Sequence, residues 1–368
     1  MAVGDSSQTS IRLEGKFGAN VICWILGIGS LISWNSLTSI EDYYYDVFPV
    51  DLGTSGKGSI GSYMGICSIV AAFGFADALI QGGMLGDLAL MCPEFIQSFL
   101  AGMAAAGALT SALRLVTKAV FNDIDDGLRR GALLFLSIST FFEFFCIFLY
   151  AFVFAKLPIV KYYRSKAALE GSLTVSSDLS AAGIQTDLTQ KLVDGYVENL
   201  QRLSNKELLF QNMDYALDLF LIFVLTLSIF PGFLYENTGE HQLGSWYPLV
   251  LVATFNIWDL ISRYIPLIQC LKLESRKGLL AIVMLRFLLV PAFSFAAKYA
   301  DQGWMIMLVS ILGLTNGYLA VCVLMAAPKG YKGPEQNALG NLLVFFLLGG
   351  IFLGAALDWL WLIGNGSF

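Results

Sequence analysis

The residues best placed to do chemistry in this sequence lie in the segment FNIWDLISRYIP, at positions 255–266. Asn256, Asp259 and Arg263 are three and four residues apart, so on a helix they share one face. Asp259 and Arg263 can pair, and their free groups can exchange hydrogen bonds with the hydroxyls of a sugar. The residues alone leave two interpretations open: a binding site for a hydroxylated small molecule, or a structural ion pair that joins two helices.

A second polar face lies in GIGSLISWNSLTSI, at positions 27–40. Leu31, Trp34, Asn35 and Thr38 recur at helical spacing and put an indole, an amide and a hydroxyl on one face. An indole beside a polar group suits a flat heterocyclic ring. The alternative is that this face only packs against a neighbouring helix, as aromatic helix faces usually do.

Four more charged residues fall inside long apolar segments: Asp77, Glu143, Arg286 and Asp358. A charge at the centre of a membrane-spanning helix costs about 2.5–3.5 kcal/mol on insertion scales, so such residues face protein or water. The three acids either titrate during function or form hydrogen bonds with neighbouring helices. The second interpretation is the simpler one.

The elements that position these residues are predicted to be membrane-spanning helices. Hydrophobic residues make up 57% of the chain and charged residues 14%, whereas a soluble domain carries about 25% charged residues. One span needs about 20 apolar residues. The apolar runs predict nine spans, at about 19–40, 59–81, 95–119, 131–155, 215–234, 246–271, 278–299, 303–327 and 338–363.

The longest polar stretch, 156–212, is rich in charge, Ser and Thr and divides the chain. We expect an N-terminal membrane half at 1–155 with about four spans, an aqueous and partly helical loop at 156–212, and a C-terminal membrane half at 213–368 with about five spans. Lys and Arg are more numerous in the segments on the side of the N-terminus and this loop. That bias predicts a cytoplasmic N-terminus and an extracytoplasmic C-terminus.

Other functional classes have less support in the sequence. The six cysteines lie mostly in apolar runs and do not form a disulfide or zinc framework. The single histidine, His241, cannot build a metal site alone, and there is no basic cluster for nucleic acid and no nucleophile–base set for an enzyme. GKGSIG at 56–61 matches GxGxxG but follows no strand. We therefore predict a protein that is not an enzyme, holds no cofactor and binds no nucleic acid.

Nine segments resemble equilibrative nucleoside transporters, especially those of plants. They are GSLISWNSLTSIEDYYYDVFP, FADALIQGGMLGDLALMCPEFIQSFLAG, LPIVKYYR, LTLSIFPGFLYENTG, FNIWDLISRYIP, LRFLLVPAF, TNGYL, AAPKG and FLLGGIFLGAALDWLW. They occur in the family's order and run through nearly the whole chain. The resemblance implies an all-α, major-facilitator-like bundle of eleven spans. It also implies transport of nucleosides, and in some members nucleobases, by alternating access.

The resemblance also locates a gap. After VFP at 47–49 the family continues through a second and a third span, but here Val50 is followed directly by Asp51. Loss of an even number of spans keeps the orientation of everything downstream. The gap supports a second hypothesis, that this chain is a shortened isoform or paralogue. Such a chain would not transport, and would act as a binding or regulatory partner of a full-length transporter.

Residue roles on the side of the substrate base follow only from the resemblance. Leu31, Trp34 and Ile351 match positions that line the base. Met103 stands where many animal members have a glutamine that bonds the base, and methionine cannot make that bond. Thr38 replaces a larger apolar residue of the same pocket.

The resemblance also implies a ribose side, formed by Asp259 and Arg263 with Asn256 beside them. Three residues are candidates for gating or coupling: Asp77, Glu143 and Arg286. Proton coupling is the one form of coupling that the intramembrane acids suggest. We expect a nucleoside substrate and a lipid bilayer as surroundings. The plasma membrane is the expected location, with the vacuole or another endomembrane as the alternative.

Overall fold

A computed structural model of the chain describes residues 15–40, 60–121, 127–181, 203–236, 242–299, 302–331 and 333–364. Within these residues the regular structure is helical, and they contain no β-strand. The α-helices are α1 Lys16–Ser39, α2 Ile60–Ala89, α3 Pro93–Phe121, α4 Gly127–Phe148, α5 Pro158–Ala181, α6 Asn205–Gln211, α7 Met213–Leu227, α8 Gly232–Glu236, α9 Tyr247–Ser262, α10 Arg276–Arg286, α11 Leu289–Tyr299, α12 Gln302–Ala326 and α13 Pro334–Gly364. The predicted all-α class is confirmed.

Eight helical segments within the described residues are long and apolar enough to cross a membrane. They are Lys16–Leu37, Met64–Ala89, Pro93–Phe121, Arg129–Lys156, Met213–Leu234, Arg276–Lys298, Gln302–Ala326 and Pro334–Asp358. Each corresponds to one predicted span, and together they confirm the predicted polytopic helix bundle. The count differs from the predicted nine at one segment, 246–271.

That segment is a shorter helix than the apolar run suggests. Helix α9 has 16 residues and ends at Ser262, which gives a length of about 24 Å against a hydrocarbon core of about 30 Å. Pro266 explains the end, because a proline ring clashes with the carbonyl four residues earlier and has no N–H to donate. Beyond it the chain continues as two 3₁₀ turns, Ile265–Leu267 and Gln269–Leu271.

Helix packing joins the two predicted membrane halves most extensively at one end, where α5 lies. Here residues of both halves, such as Phe95, Leu219 and Leu339, belong to one hydrophobic core. A separate cluster that includes Tyr247 and Phe293 is formed by C-terminal helices alone. We call the end with the shared core the loop end. The halves are therefore packed together there and have their own clusters further away.

Close contact between α7 and α13 depends on two glycines. A Cβ atom on Gly350 would lie 2.4 Å from the carbonyl oxygen of Phe220, and one on Gly354 would lie 2.7 Å from that of Val224. No other side chain fits without moving the helices apart. The GxxxG pair of the sequence is thus a packing feature, the role that such small-residue pairs have in membrane helix contacts.

The predicted aqueous loop is partly helical, because α5 and α6 lie within it. Helix α6 begins with a capping box, in which Ser204 Oγ accepts from the Glu207 backbone N–H and the Glu207 carboxylate accepts from the Ser204 N–H. Residues 182–202, the Val50–Asp51 junction and His241 lie outside the described residues. The division at 155 and 212 stays a prediction.

Candidate functional site

The spacing of Asp259 and Arg263 on α9 produces the ion pair that it predicts. Asp259 Oδ2 accepts hydrogen bonds from Arg263 Nε at 3.0 Å and from Nη2 at 2.8 Å. The residues are 4% and 7% exposed. Burying either charge alone would be costly, and the pairing offsets part of that cost.

A chain of hydrogen bonds extends this pair across three more helices. Asn316 of α12 donates from Nδ2 to Asp259 Oδ1 at 2.8 Å. Thr226 of α7 donates to Asn316 Oδ1 at 2.8 Å, and Arg286 of α10 donates from Nη2 to Thr226 Oγ1 at 3.0 Å. We call these five residues, Asp259, Arg263, Asn316, Thr226 and Arg286, the polar network. The predicted site residue Arg286 is thus connected to the predicted pair through Thr226 and Asn316.

Arg286 also makes two hydrogen bonds to residues outside the polar network. Its Nε donates to Thr315 Oγ1 at 2.9 Å and its Nη1 donates to the Ile222 carbonyl oxygen at 3.3 Å. The side chain is buried, and all three of its nitrogens have a partner. A lysine could not make these bonds at once, because its ammonium group lacks the planar, branched geometry of a guanidinium.

Glycines on α12 let α9 approach closely enough for the network to form. A Cβ atom on Gly317 would lie 2.4 Å from the Asp259 carbonyl oxygen, and one on Gly313 would lie 2.5 Å from that of Phe255. The backbones of the two helices therefore touch. The short amide of Asn316 can then reach a carboxylate on the facing helix.

The same face of α9 is also fastened to α3, in the other predicted half. Arg263 Nη1 donates to the Leu100 carbonyl oxygen at 2.7 Å, and Gln97 Nε2 donates to the Arg263 carbonyl oxygen at 3.1 Å. One turn above the pair, Asn256 Nδ2 donates to Ser111 Oγ at 2.8 Å. Asn256, Asp259 and Arg263 thus lie between the two halves and contact both.

In this conformation the pair is closed over by protein groups. Asp259 Oδ1 accepts from Asn316 of α12, and Oδ2 accepts from Arg263 one turn along the chain. The Arg263 guanidinium also donates to the Leu100 carbonyl oxygen of α3. Two cavities are present among the described residues, one at the loop end and a small one beside Arg114. Neither Asp259 nor Arg263 lines either cavity. Among the described residues, no cleft therefore opens next to the pair in this conformation.

The residues assigned to the base lie in different surroundings. Met103 belongs to the shared core, and Leu31 and Ile351 are half-buried against it. Trp34 is 37% exposed. Thr38 lies in α1, and its side chain is outside the described set.

Two of the predicted intramembrane acids make hydrogen bonds with other helices, as the simpler interpretation expects. Glu143 accepts from the Ser33 hydroxyl and so joins α4 to α1. Asp358 Oδ1 accepts from the Phe233 backbone N–H at 3.0 Å, at the start of α8. Asp77 differs, because it is buried and its Oδ2 has no hydrogen-bond partner among the described residues.

One buried acid escaped the sequence reasoning. Asp218 of α7 is 0% exposed, and neither carboxylate oxygen has a hydrogen-bond partner within the described residues. It lies inside the predicted span 215–234, so the criterion that selected Asp77 would also have selected it. Asn316, Thr226 and Gln97 were missed for another reason, since uncharged polar residues are common in spans and spacing does not reveal their partners.

Comparison with known proteins gives consistent results. The profile of a family described as Nucleoside transporter matches residues 66–363. The chain is 58% identical to equilibrative nucleotide transporter 3 of Arabidopsis thaliana, with 99% of each chain covered. It is 57% identical to equilibrative nucleotide transporter 5 of the same plant, over 98% of each chain, and 56% identical to equilibrative nucleotide transporter 6, over 97% of each.

The length of these alignments bears on the predicted gap. The first alignment runs over 417 positions, whereas the chain has 368 residues. The alignment therefore contains positions without a residue in this chain. The shortfall is close to what two spans of about 20 residues and their connection require. Its placement between Val50 and Asp51 stays a prediction.

Proposed function

This chain belongs to the nucleoside transporter family, and from that premise we propose that it moves a nucleoside or nucleotide across the membrane through a site centred on Asp259 and Arg263. The observation that carries the proposal is the position of this pair. It is buried within the bundle and bonded to helices of both predicted halves. A site in that position can be exposed to either side when the halves rock against each other.

The hydrogen bonds of the pair suggest how opening would create a sugar-binding site. Arg263 Nη1 is bonded to the Leu100 carbonyl oxygen across the interface between the halves. When the halves move apart this bond breaks, while the bond from Asn316 to Asp259 stays within the C-terminal half. Arg263 then has a free donor next to an oriented carboxylate. The hydroxyls of a ribose can satisfy both groups.

The base would lie towards α1. Trp34 offers an exposed indole for stacking on a flat ring, and Leu31 and Ile351 offer apolar walls. Met103 cannot donate or accept a strong hydrogen bond, so the base would be held by stacking and shape on this side. We therefore expect weak discrimination between purine and pyrimidine nucleosides.

Proton coupling is a further part of the proposal. Asp77 and Glu143 are acids within membrane-spanning helices, the type of residue that forms proton pathways in transporters. If a proton moves with the substrate, uptake falls when the pH gradient is dissipated. Uptake that does not depend on the pH gradient would remove this part of the proposal.

We also propose the plasma membrane as the location, with the N-terminus in the cytoplasm. The excess of Lys and Arg on the side of the loop supports this orientation. Selective labelling of a cysteine placed in the loop and of one placed after α13, in intact and in permeabilised cells, tests it. Labelling of the loop cysteine in intact cells would contradict the orientation.

A second candidate function has support from the exposed helix α2. Only 6% of the most apolar window of the segment Met64–Ala89 is buried, and the relatives' alignments contain positions that this chain lacks. A helix so poorly covered can pack against another subunit. A shortened chain that joins a full-length transporter as a regulatory partner would use this face.

One experiment separates the two candidates. Uptake of labelled adenosine and uridine is measured in a transporter-null cell for the chain itself, for the chain with two spans restored from a relative, and for each with Asp259→Asn. The matched control is Ile257→Val, on the same helix but 49% exposed. Surface protein is quantified for every variant.

The proposal expects uptake by the chain itself, lost in Asp259→Asn and kept in Ile257→Val. Uptake only after the spans are restored would favour the regulatory candidate, and capture of a full-length relative from the same membrane would support it. Background uptake by both well-inserted forms would exclude carriage by this chain.

A further inference from the structure

A cavity lies at the loop end of the bundle, away from the polar network. Its volume is about 730 Å³, within the range of about 300–1,000 Å³ typical of small-molecule sites. One wall comes from α5, around Ala168, and the opposite wall comes from α13, around Asn337 and Asn341. The cavity therefore lies between the loop helix and the last span, and nothing in the carriage mechanism uses it.

Two amides on α13 form a polar edge of this cavity. Asn341 Nδ2 donates to Asn337 Oδ1 at 3.2 Å, one turn apart. This bond leaves a donor group on Asn337 and an acceptor oxygen on Asn341 with no other partner among the described residues. A donor beside an acceptor is the pattern with which amide side chains bind the edge of a nucleobase.

An aromatic side chain lies at the same wall. Phe345, one turn beyond Asn341, lines the cavity and is 73% exposed. A ring in this position can stack on a flat heterocycle whose edge meets the amides, because every base has a π-face. The apolar side chains Leu90 and Leu342 complete the lining around it.

The electrostatics of the cavity select a neutral ligand. Arg164 is the one charged residue in its described lining. Asp87 already holds this guanidinium, with Nη2 to Oδ2 at 2.5 Å and Nε to Oδ1 at 3.3 Å. Because Asp87 neutralises this guanidinium, the cavity has no net positive charge that would attract a phosphate.

We propose that this cavity is a second binding site, which takes a neutral nucleoside or nucleobase and rejects the corresponding nucleotide. The site goes beyond the carriage mechanism and does not depend on Asp259 or Arg263. Its walls come from the loop helix α5 and from α13, with Leu90 of the N-terminal half beside them. The two predicted halves touch close by, where Gly86 of α2 meets Gly340 of α13. A ligand bound between these walls stabilises the conformation in which the loop end is closed.

The test measures equilibrium binding of labelled adenosine to the purified full chain in lipid nanodiscs. Ala168→Phe fills the cavity from the α5 wall, and Leu169→Phe is the matched control, because Leu169 is the next residue, is 60% exposed and does not line the cavity. We expect two adenosine molecules bound per chain in the wild type and in Leu169→Phe, and one in Ala168→Phe. Asp259→Asn should remove the other molecule.

A second variant keeps the test valid if Ala168→Phe does not fold. Asn341→Leu retains the size of the side chain and removes the polar edge. In a chain that also carries Asp259→Asn, and so keeps only the second site, the Kd for adenosine should rise by about tenfold or more. At this second site, AMP should compete with labelled adenosine at least tenfold more weakly than unlabelled adenosine does.

Three results would overturn the proposal: a single bound adenosine that Asp259→Asn abolishes, equal binding by Ala168→Phe and Leu169→Phe, or AMP that competes as well as adenosine. Failure of the proposed transport function would give different results from failure of the second site. A chain that shows no uptake but still binds adenosine in Asp259→Asn, sensitive to Ala168→Phe, keeps the second site and loses the first.

Discussion

In the C-terminal half, Asp259 and Arg286 are bonded to side chains of neighbouring helices, and Arg263 is bonded to Asp259 and to a backbone carbonyl of α3. In the N-terminal half, Asp77 is also buried, yet one of its carboxylate oxygens accepts no hydrogen bond from any described residue. Both regions carry charge inside apolar helices. The difference is whether another helix brings a partner to the charge.

Two helical segments, one from each half, also differ widely in how far they are buried. In the segment Gln302–Ala326, 61% of the most apolar window is buried, whereas in Met64–Ala89 the figure is 6%. The predicted gap falls just before the second of these segments. The poor coverage of α2 therefore coincides with the unpartnered oxygen of Asp77, and the predicted loss of two spans would explain both. Asp218 of α7 is the exception, because it lacks a partner among the described residues of the better-covered half.

The largest effect is expected at the centre of the polar network. Asp259→Ala leaves Arg263 buried without its carboxylate and Asn316 without its acceptor, which should cost about 3–5 kcal/mol of stability and abolish uptake. The double variant Asp259→Leu with Arg263→Met restores an apolar contact of similar volume. It should recover most of the thermal stability without recovering uptake, as measured by thermal unfolding in detergent and by the uptake assay.

This double variant separates the two interpretations of the pair. A purely structural ion pair predicts that stability and uptake recover together. Recovery of both would therefore move the substrate site away from α9, and would end the functional contrast between the two halves.

A smaller effect is expected at the far end of the network. Arg286→Lys keeps the charge but loses at least one of three hydrogen bonds, each worth about 1.5–3 kcal/mol when a charged group is involved. Uptake should fall on the order of tenfold, since 1.4 kcal/mol corresponds to a factor of ten. Initial uptake rates normalised to surface protein provide the measurement, and wild-type rates in Arg286→Lys would show that the fork geometry is dispensable.

A gain of stability is expected at Asp77, where one carboxylate oxygen has no hydrogen-bond partner among the described residues. Asp77→Asn removes a carboxylate that lacks one partner, and should stabilise the chain by about 1–3 kcal/mol. The control is Asp358→Asn, which weakens a bond to the Phe233 N–H and should destabilise it. Unfolding midpoints are compared for the chain as it is and with the two spans restored.

Restoring the spans should cancel the gain from Asp77→Asn, because the added helices can supply a partner. If Asp77→Asn has the same effect in both forms, the missing spans are not the reason for the unpartnered acid.

The sequence predicts what is local and misses what several helices build together. The Asp259–Arg263 pair follows from spacing along one helix. Asn316 and Thr226 reach Asp259 and Arg286 from two other helices, and no spacing relates them. The end of α9 is predictable from Pro266, whereas the predicted span 246–271 continues through this proline.

Sequence patterns are sufficient to locate the membrane-spanning helices. They do not show whether the site around Asp259 and Arg263 is open to water. Apolar runs located eight of the nine predicted spans. Whether Asp259 and Arg263 face a cleft depends on how the halves are tilted. Helix propensity and periodicity contain no information on that tilt.

The smallest effect is expected outside the membrane, at the loop end. Glu274 accepts hydrogen bonds from Lys329 at 2.7 Å and lies 3.2 Å from Lys272, and these bonds lower the pKa of its carboxyl below the ordinary value. A group with a lowered pKa stabilises the folded state above its unfolded pKa of about 4.3, and this contribution is lost as the pH falls through the folded value. Glu274→Gln should therefore lower the unfolding midpoint slightly at pH 7 and not at pH 3. Since the carboxyl is exposed to solvent, salt should weaken the difference at pH 7, and a difference that persists at pH 3 would show that packing, rather than charge, holds this contact between the residues before α10 and the turn after α12.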